Sequence, residues 1–145
     1  MKLHSVILAD DSESCDIAEL FVMIKNSTIQ LLEQYTVAHE DIVSENNTYL
    51  SDSITKLNLS EKMLLVNSKS FLCFWYGHGK ADSFRIANED VVTTTENYYV
   101  FSNALIYTFS CLNGKDLADA IMANKAKAFV GYTDYANCPY GIDDV

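Results

Sequence analysis

The sequence predicts an α/β fold in three layers, a mostly parallel sheet with helices on both faces. Short apolar runs at Leu3–Ala9, Ser70–Tyr76, Ala104–Phe109 and Lys127–Tyr132 read as buried strands. Helical patterns alternate with them, as parallel sheets require for their crossovers. One proline and five glycines leave no linker, and there is no repeat or low-complexity segment, so residues 1–145 form one domain. At 145 residues it is long enough to bury a substantial core, and 49% hydrophobic with 21% charged is ordinary for a soluble globular protein.

In chain order, Leu3–Ala9 is the first strand. Asp10, Asp11 and Ser12 then supply N-cap chemistry for a helix with Ile17, Leu20, Phe21, Ile24, Leu31, Leu32 and Tyr35 on its apolar face. Val37–Val43 is weakly strand-like, and Asn46–Asn58 is polar enough for a loop or a frayed helix. Leu59–Val66 follows, with Ser60 as its cap. After the central strand Ser70–Tyr76, two short segments, Ser83–Ile86 and Val91–Thr95, suggest a small hairpin, and Asn97–Asn103 links it to the next strand. Asp116–Lys125 reads as a helix with Leu117, Ala118, Ile121 and Met122 on its apolar side, and Lys127–Tyr132 closes the visible sheet.

Two strand ends carry reactive groups. Phe74–Gly79, FWYGHG, ends in Gly-His-Gly, and Ala104–Cys111, ALIYTFSC, ends in a thiol. Open α/β sheets collect their functional groups at the carboxyl ends of strands. A thiol of ordinary pKa is only a few per cent thiolate at neutral pH and needs a base, an imidazolium or a helix N-terminus beside it. His78 is the candidate base, and the helix beginning near Asp116 offers its positive end to Cys111. The N–H groups of Gly79 and Cys111 can form a two-donor oxyanion hole. A cysteine ending an apolar strand is ordinarily a small buried hydrophobe. A histidine between two glycines has no such place in a packed core, and the two ends together favour function.

Charge and cysteine spacing exclude other classes. A net charge of −10 repels nucleic acid and anionic membranes and suits a substrate bearing Lys or Arg. No stretch approaches a membrane span, and Met1–Asp10 shows no secretory signal pattern. Cys15, Cys73, Cys111 and Cys138 are widely spaced, signalling neither a disulfide framework nor a metal site, which points to the cytoplasm and to no cofactor.

YGHG, then YTFSCLNGKDLADAI and KAFVGYT, resemble the caspase-like cysteine peptidases of clan CD, most closely their bacterial CHAT and gingipain-type branch. The resemblance runs from about Ser70 to Thr133. In that group a His-Gly follows the third strand, the nucleophilic cysteine follows the fourth, and a helix leads to a fifth strand ending near a glycine. It implies catalytic roles for His78, Cys111 and Gly79 as base, nucleophile and oxyanion donor. The eukaryotic caspase signature is absent, and His78 lies 33 positions before Cys111 where caspases show about 50. The expected activity is therefore that of a bacterial-type thiol protease, a hydrolase working through a His-Cys dyad on a protein or peptide, switched by a partner, in prokaryotic defence or cell death.

The resemblance also places the loops after the first, fourth and fifth strands around the pocket for the residue before the scissile bond. Those loops offer Asp10, Asp11 and Asp134 as substrate-binding carboxylates, which implies cleavage after basic residues. After the Lys127 strand, a caspase-like fold needs a further helix and strand, and only Asp134–Val145 remains. The chain therefore reads as a large subunit or a truncated domain whose sheet a second subunit or activating partner completes, with Asp143 and Asp144 as a hint of processing. Two other readings stand beside this one: an inactive caspase-like interaction module, and a receiver-like signalling domain in which Asp10 and Asp11 would bind a divalent cation.

Overall fold

Level strand ends position the site. A computed structural model describes residues 1–136. Along the chain lie β1 (Lys2–Ala9), α1 (Ala18–Ala38), β2 (Val43–Leu50), α2 (Lys56–Leu64), β3 (Phe71–Tyr76), β4 (His78–Lys80), β5 (Ser83–Ile86), β6 (Glu89–Thr93), β7 (Ala104–Phe109), α3 (Asp116–Ala123) and β8 (Ala128–Val130). Five of the strands make a parallel sheet in the order β2-β1-β3-β7-β8, and β4-β5-β6 make a small antiparallel sheet. Ala9 pairs with Tyr76, and Tyr76 with Phe109, so β1, β3 and β7 end side by side. The chain leaves all three ends together, at Asp10, Gly77 and Ser110.

The alternation of each strand sorts its residues onto two cores. One face sends Val6, Leu8, Cys73, Trp75, Ala104 and Ile106 against Leu59 and Met63 of α2 and Leu117 and Ile121 of α3. The small sheet joins this core: Phe84 stacks on Trp75 with ring centroids 4.4 Å apart and planes 15° apart. Burying a Phe of this kind is worth about 1.5–3 kcal/mol. The other face sends Ile7, Ala9 and Tyr76 against Phe21 and Leu32 of α1. Helices thus cover both faces, as expected. The second face is covered only in part, since Leu105, Tyr107 and Val130 of β7 and β8 stay 41%, 39% and 57% exposed. Among the described residues no helix is long and apolar enough to cross a membrane.

Several boundaries differ from the sequence reading, each for a local reason. The Asn46–Asn58 segment is not loop: Val43–Leu50 is a strand although it is mostly polar, because every residue pairs with β1 from Lys2 to Ala9. Residues 37 and 38 belong to α1, not to a strand. The second helix starts at Lys56, one turn before Ser60, because Thr55 and Asn58 form a capping box. The first helix starts at Ala18 with no side-chain cap, and Asp10 instead accepts from Ser12 in the preceding loop and from Ala87 beside the small sheet. Of its expected apolar face, Leu31 and Tyr35 are exposed, standing over an open groove with Leu3, Phe74 and Tyr107. The expected hairpin gains a third strand, β4, which contains His78 and Gly79. Asp143, Asp144 and Cys138 lie outside the described residues.

Candidate active site

The loops after β3 and β7 are pressed together at Gly79. A Cβ built there would overlap Ser110 Oγ and lie 2.6 Å from the Cys111 carbonyl oxygen, so only glycine fits. Its φ is not in the left-handed region. The residue is therefore explained by close approach rather than by a sharp turn. This contact joins the Gly-His-Gly segment to the cysteine segment, two stretches 33 residues apart in the chain.

The cysteine loop is held from the other side by the loop after β8. Leu112, at φ 63°, donates its N–H to the Asp134 carbonyl at 3.1 Å, and Gly114 donates to the Tyr132 carbonyl at 2.9 Å. Cys111 is half-buried, and its Sγ accepts the Ala136 N–H at 3.4 Å. The Cys111 N–H has no acceptor among the described residues, as an oxyanion donor requires. Beneath it, Thr108 donates to Asn113 Oδ1 at 3.0 Å. The buried Asn113 Nδ2 and Ser110 Oγ, both beside Gly79, have no partner among the described residues. α3 begins at Asp116, five residues beyond Cys111.

His78 faces the loop after β1. Its Nε2 lies 3.2 Å from Asp16 Oδ1, and the Phe21 ring stands nearly perpendicular to the imidazole with centroids 5.7 Å apart. Asp16 is a partner that spacing did not disclose. The adjacency of β1 and β3 is the signal that finds it, because neighbouring parallel strands present their following loops at one edge. Among the described residues, no hydrogen bond joins the ring to Cys111 Sγ.

The described cysteines are free and unequal. Burial, opposed by the Ile17 N–H and reinforced by the Asp10 and Asp16 carboxylates, pushes the Cys15 thiol up to about 11. Cys73 is fully enclosed and burial alone drives its thiol higher still. Both are held as thiols at neutral pH. Cys15 nevertheless stands close to the imidazole: one ligand atom each from Cys15, Asp16 and His78 lies within 4.8 Å of the others.

The three acids expected in a substrate pocket differ in placement. Asp10 is 1% exposed and its carboxylate accepts from Ser12 N at 3.0 Å and Ala87 N at 3.1 Å, tying the first loop to the small sheet. Asp11 accepts the Ser51 N–H at 3.1 Å and the Ser51 hydroxyl. Both are organisers of the loop. Asp134 alone is exposed and adjoins the cysteine loop through its carbonyl. The sheet order β2-β1-β3-β7-β8 is also that of receiver-like folds, but here the Asp10 oxygens are engaged and β3 ends in Tyr76 with no aspartate to accept a phosphoryl group.

Comparison with protein-family models, with curated proteins and with solved structures gave no match.

Proposed function

We propose that this chain is a caspase-like cysteine endopeptidase of the bacterial type, acting through His78 and Cys111. The observation that carries the reading is the position of both groups: counted within the parallel sheet, His78-Gly79 follows the third strand and Cys111 the fourth, with α3 leading to the fifth. The close approach at Gly79 supports it, because it brings the Gly-His-Gly segment against the cysteine loop.

In the reaction, His78 takes the proton of the Cys111 thiol and the thiolate attacks the scissile carbonyl carbon. The carbonyl becomes an oxyanion held by the Gly79 and Cys111 N–H groups. His78 returns the proton to the leaving amine as the C–N bond breaks, leaving a thioester. Water, deprotonated by His78, then hydrolyses the thioester and restores the thiol. Asp16 orients the ring during both transfers, as a carboxylate does for a catalytic imidazole.

Cys111 and His78 are not hydrogen-bonded to each other in this state, which suits a protease switched on by a partner. The exposed Leu105, Tyr107 and Val130 form the apolar face on which a second subunit or activating partner would dock. Free thiols at Cys15, Cys73 and Cys111 fit a cytoplasmic setting, and the substrate is a protein or peptide cut after Lys or Arg.

The decisive experiment is mass spectrometry of the purified protein after incubation with an electrophilic peptide ending in Arg. A single adduct on Cys111, absent in the His78→Ala variant, is expected. An adduct on another cysteine, or equal labelling without His78, overturns the dyad.

A further inference from the structure

We propose that Cys15, Asp16 and His78 form a binding site for a zinc-type divalent cation, and that occupancy withdraws His78 from proton transfer. The second half rests on the reading of His78 as base; the first half does not. Nothing in the spacing of the cysteines announces the site, because its members come from two loops 62 residues apart that meet only in the folded sheet.

The donor set is a thiol, a carboxylate and an imidazole, with one atom of each within 4.8 Å of the other two. In tetrahedral coordination with bonds of about 2.0–2.3 Å, ligand atoms stand roughly 3.3–3.8 Å apart. The imidazole–carboxylate edge, at 3.2 Å, is already close to that length. Three protein ligands leave a fourth position for water or for an incoming side chain. A thiolate beside an imidazole favours zinc or cobalt over magnesium or calcium, which prefer oxygen ligands alone.

The surroundings hold two of the ligands in place. The loop carrying Cys15 and Asp16 is anchored by Asp10, which accepts from Ser12 and from Ala87 across in the small sheet. Cys15 N donates to the Ser12 carbonyl at 3.0 Å, and the Cys15 carbonyl accepts from Ala18 at the start of α1. Cys15 is 8% exposed, so its sulfur sits inside the fold. The Phe21 ring flanks the His78 ring nearly at a right angle. Binding at Nε2 would release the Cys15 proton to solvent and leave the single ring proton on Nδ1, so the imidazole has no lone pair free to take the Cys111 proton.

The test uses cobalt(II) as a spectroscopic probe on the intact chain, followed by zinc competition. A one-to-one complex with a thiolate-to-cobalt charge-transfer band and four-coordinate ligand-field absorption is expected. Cys15→Ser should remove the band and weaken zinc by at least the roughly 10–100-fold that loss of an outer-shell partner costs. Asp16→Ala, at an exposed carboxylate, gives a second variant that does not disturb the core and should weaken zinc similarly. Cys111→Ala should keep the band. Absence of the band in the wild type, its survival in Cys15→Ser, or its loss in Cys111→Ala overturns the site. The rate with zinc divided by the rate in chelator should be small for the wild type and near one for Cys15→Ser. A band without any peptidase activity would sink the proposed function and leave the metal site standing, whereas activity without a band does the reverse.

Discussion

Gly79 touches Cys111: a methyl group on its Cα would stand 2.6 Å from the Cys111 carbonyl oxygen. Gly79→Ala must therefore push two loops apart. The expected cost is about 1–3 kcal/mol, a fall in Tm of roughly 3–10 °C, together with loss of peptidase activity beyond what the stability change explains. Thermal melts and kcat/KM measured well below Tm check it, and an active, equally stable variant would show that the contact is not needed.

Cys111 should react fastest among the cysteines. It is half-buried, while Cys15 and Cys73 are buried and protonated. Iodoacetamide at neutral pH, read by peptide mapping, should label Cys111 first, and Cys111→Ala should abolish proteolysis. Faster labelling of Cys15, or of Cys138, would refute the assignment.

His78 sits at the surface, with 38% of its side chain exposed and one exposed carboxylate as partner. His78→Ala is expected to remove activity while changing stability by about 0.5 kcal/mol, roughly 2 °C in Tm. A loss of many degrees would make it a packing residue. His4 and His39 lie outside the site and their replacement should leave the rate unchanged.

Asp10 and Asp134 separate stability from specificity. Asp10→Ala leaves the part-buried Ser12 and Ala87 N–H groups without their acceptor, at a total cost of about 1–3 kcal/mol. Its signature is a lowered Tm. Asp134→Asn should leave Tm alone and cut kcat/KM for Lys and Arg substrates by about tenfold, or about 1.4 kcal/mol. A peptide library that shows preference for Asp or for apolar residues would reject the basic pocket.

Stability should fall in alkali. The Cys15 thiol is raised from 9.0 to about 11 in the folded protein. Above pH 9 the unfolded chain releases this proton while the folded one keeps it, so unfolding is increasingly favoured until the folded thiol itself ionises. The stabilisation is thus full below pH 9 and lost between about pH 9 and 11. Tyr76, raised from 10.0 to about 12 chiefly by burial, extends the loss upward. Denaturant melts at pH 8 to 11 should show a shallower decline in Cys15→Ala; an equal decline would remove the thiol as a cause.

Residue order alone was enough to specify the parallel α/β architecture and the two strand ends that bear His78-Gly79 and Cys111. The continuous apolar run Phe71–Tyr76 fits a strand buried on both faces, whereas Ala104–Phe109 leaves Leu105 and Tyr107 exposed on one of them, and the loop leaving either strand emerges at the sheet's carboxyl edge. The polar strand Val43–Leu50 was invisible because its stability comes from pairing with β1, not from its own side chains. Folding in three dimensions made Asp10 a buried organiser and Asp134 an exposed carboxylate, although both read alike as acids after strands. It also brought Asp16 and Cys15 to the imidazole of His78, because strands β1 and β3 become neighbours through long-range pairing that no local spacing encodes.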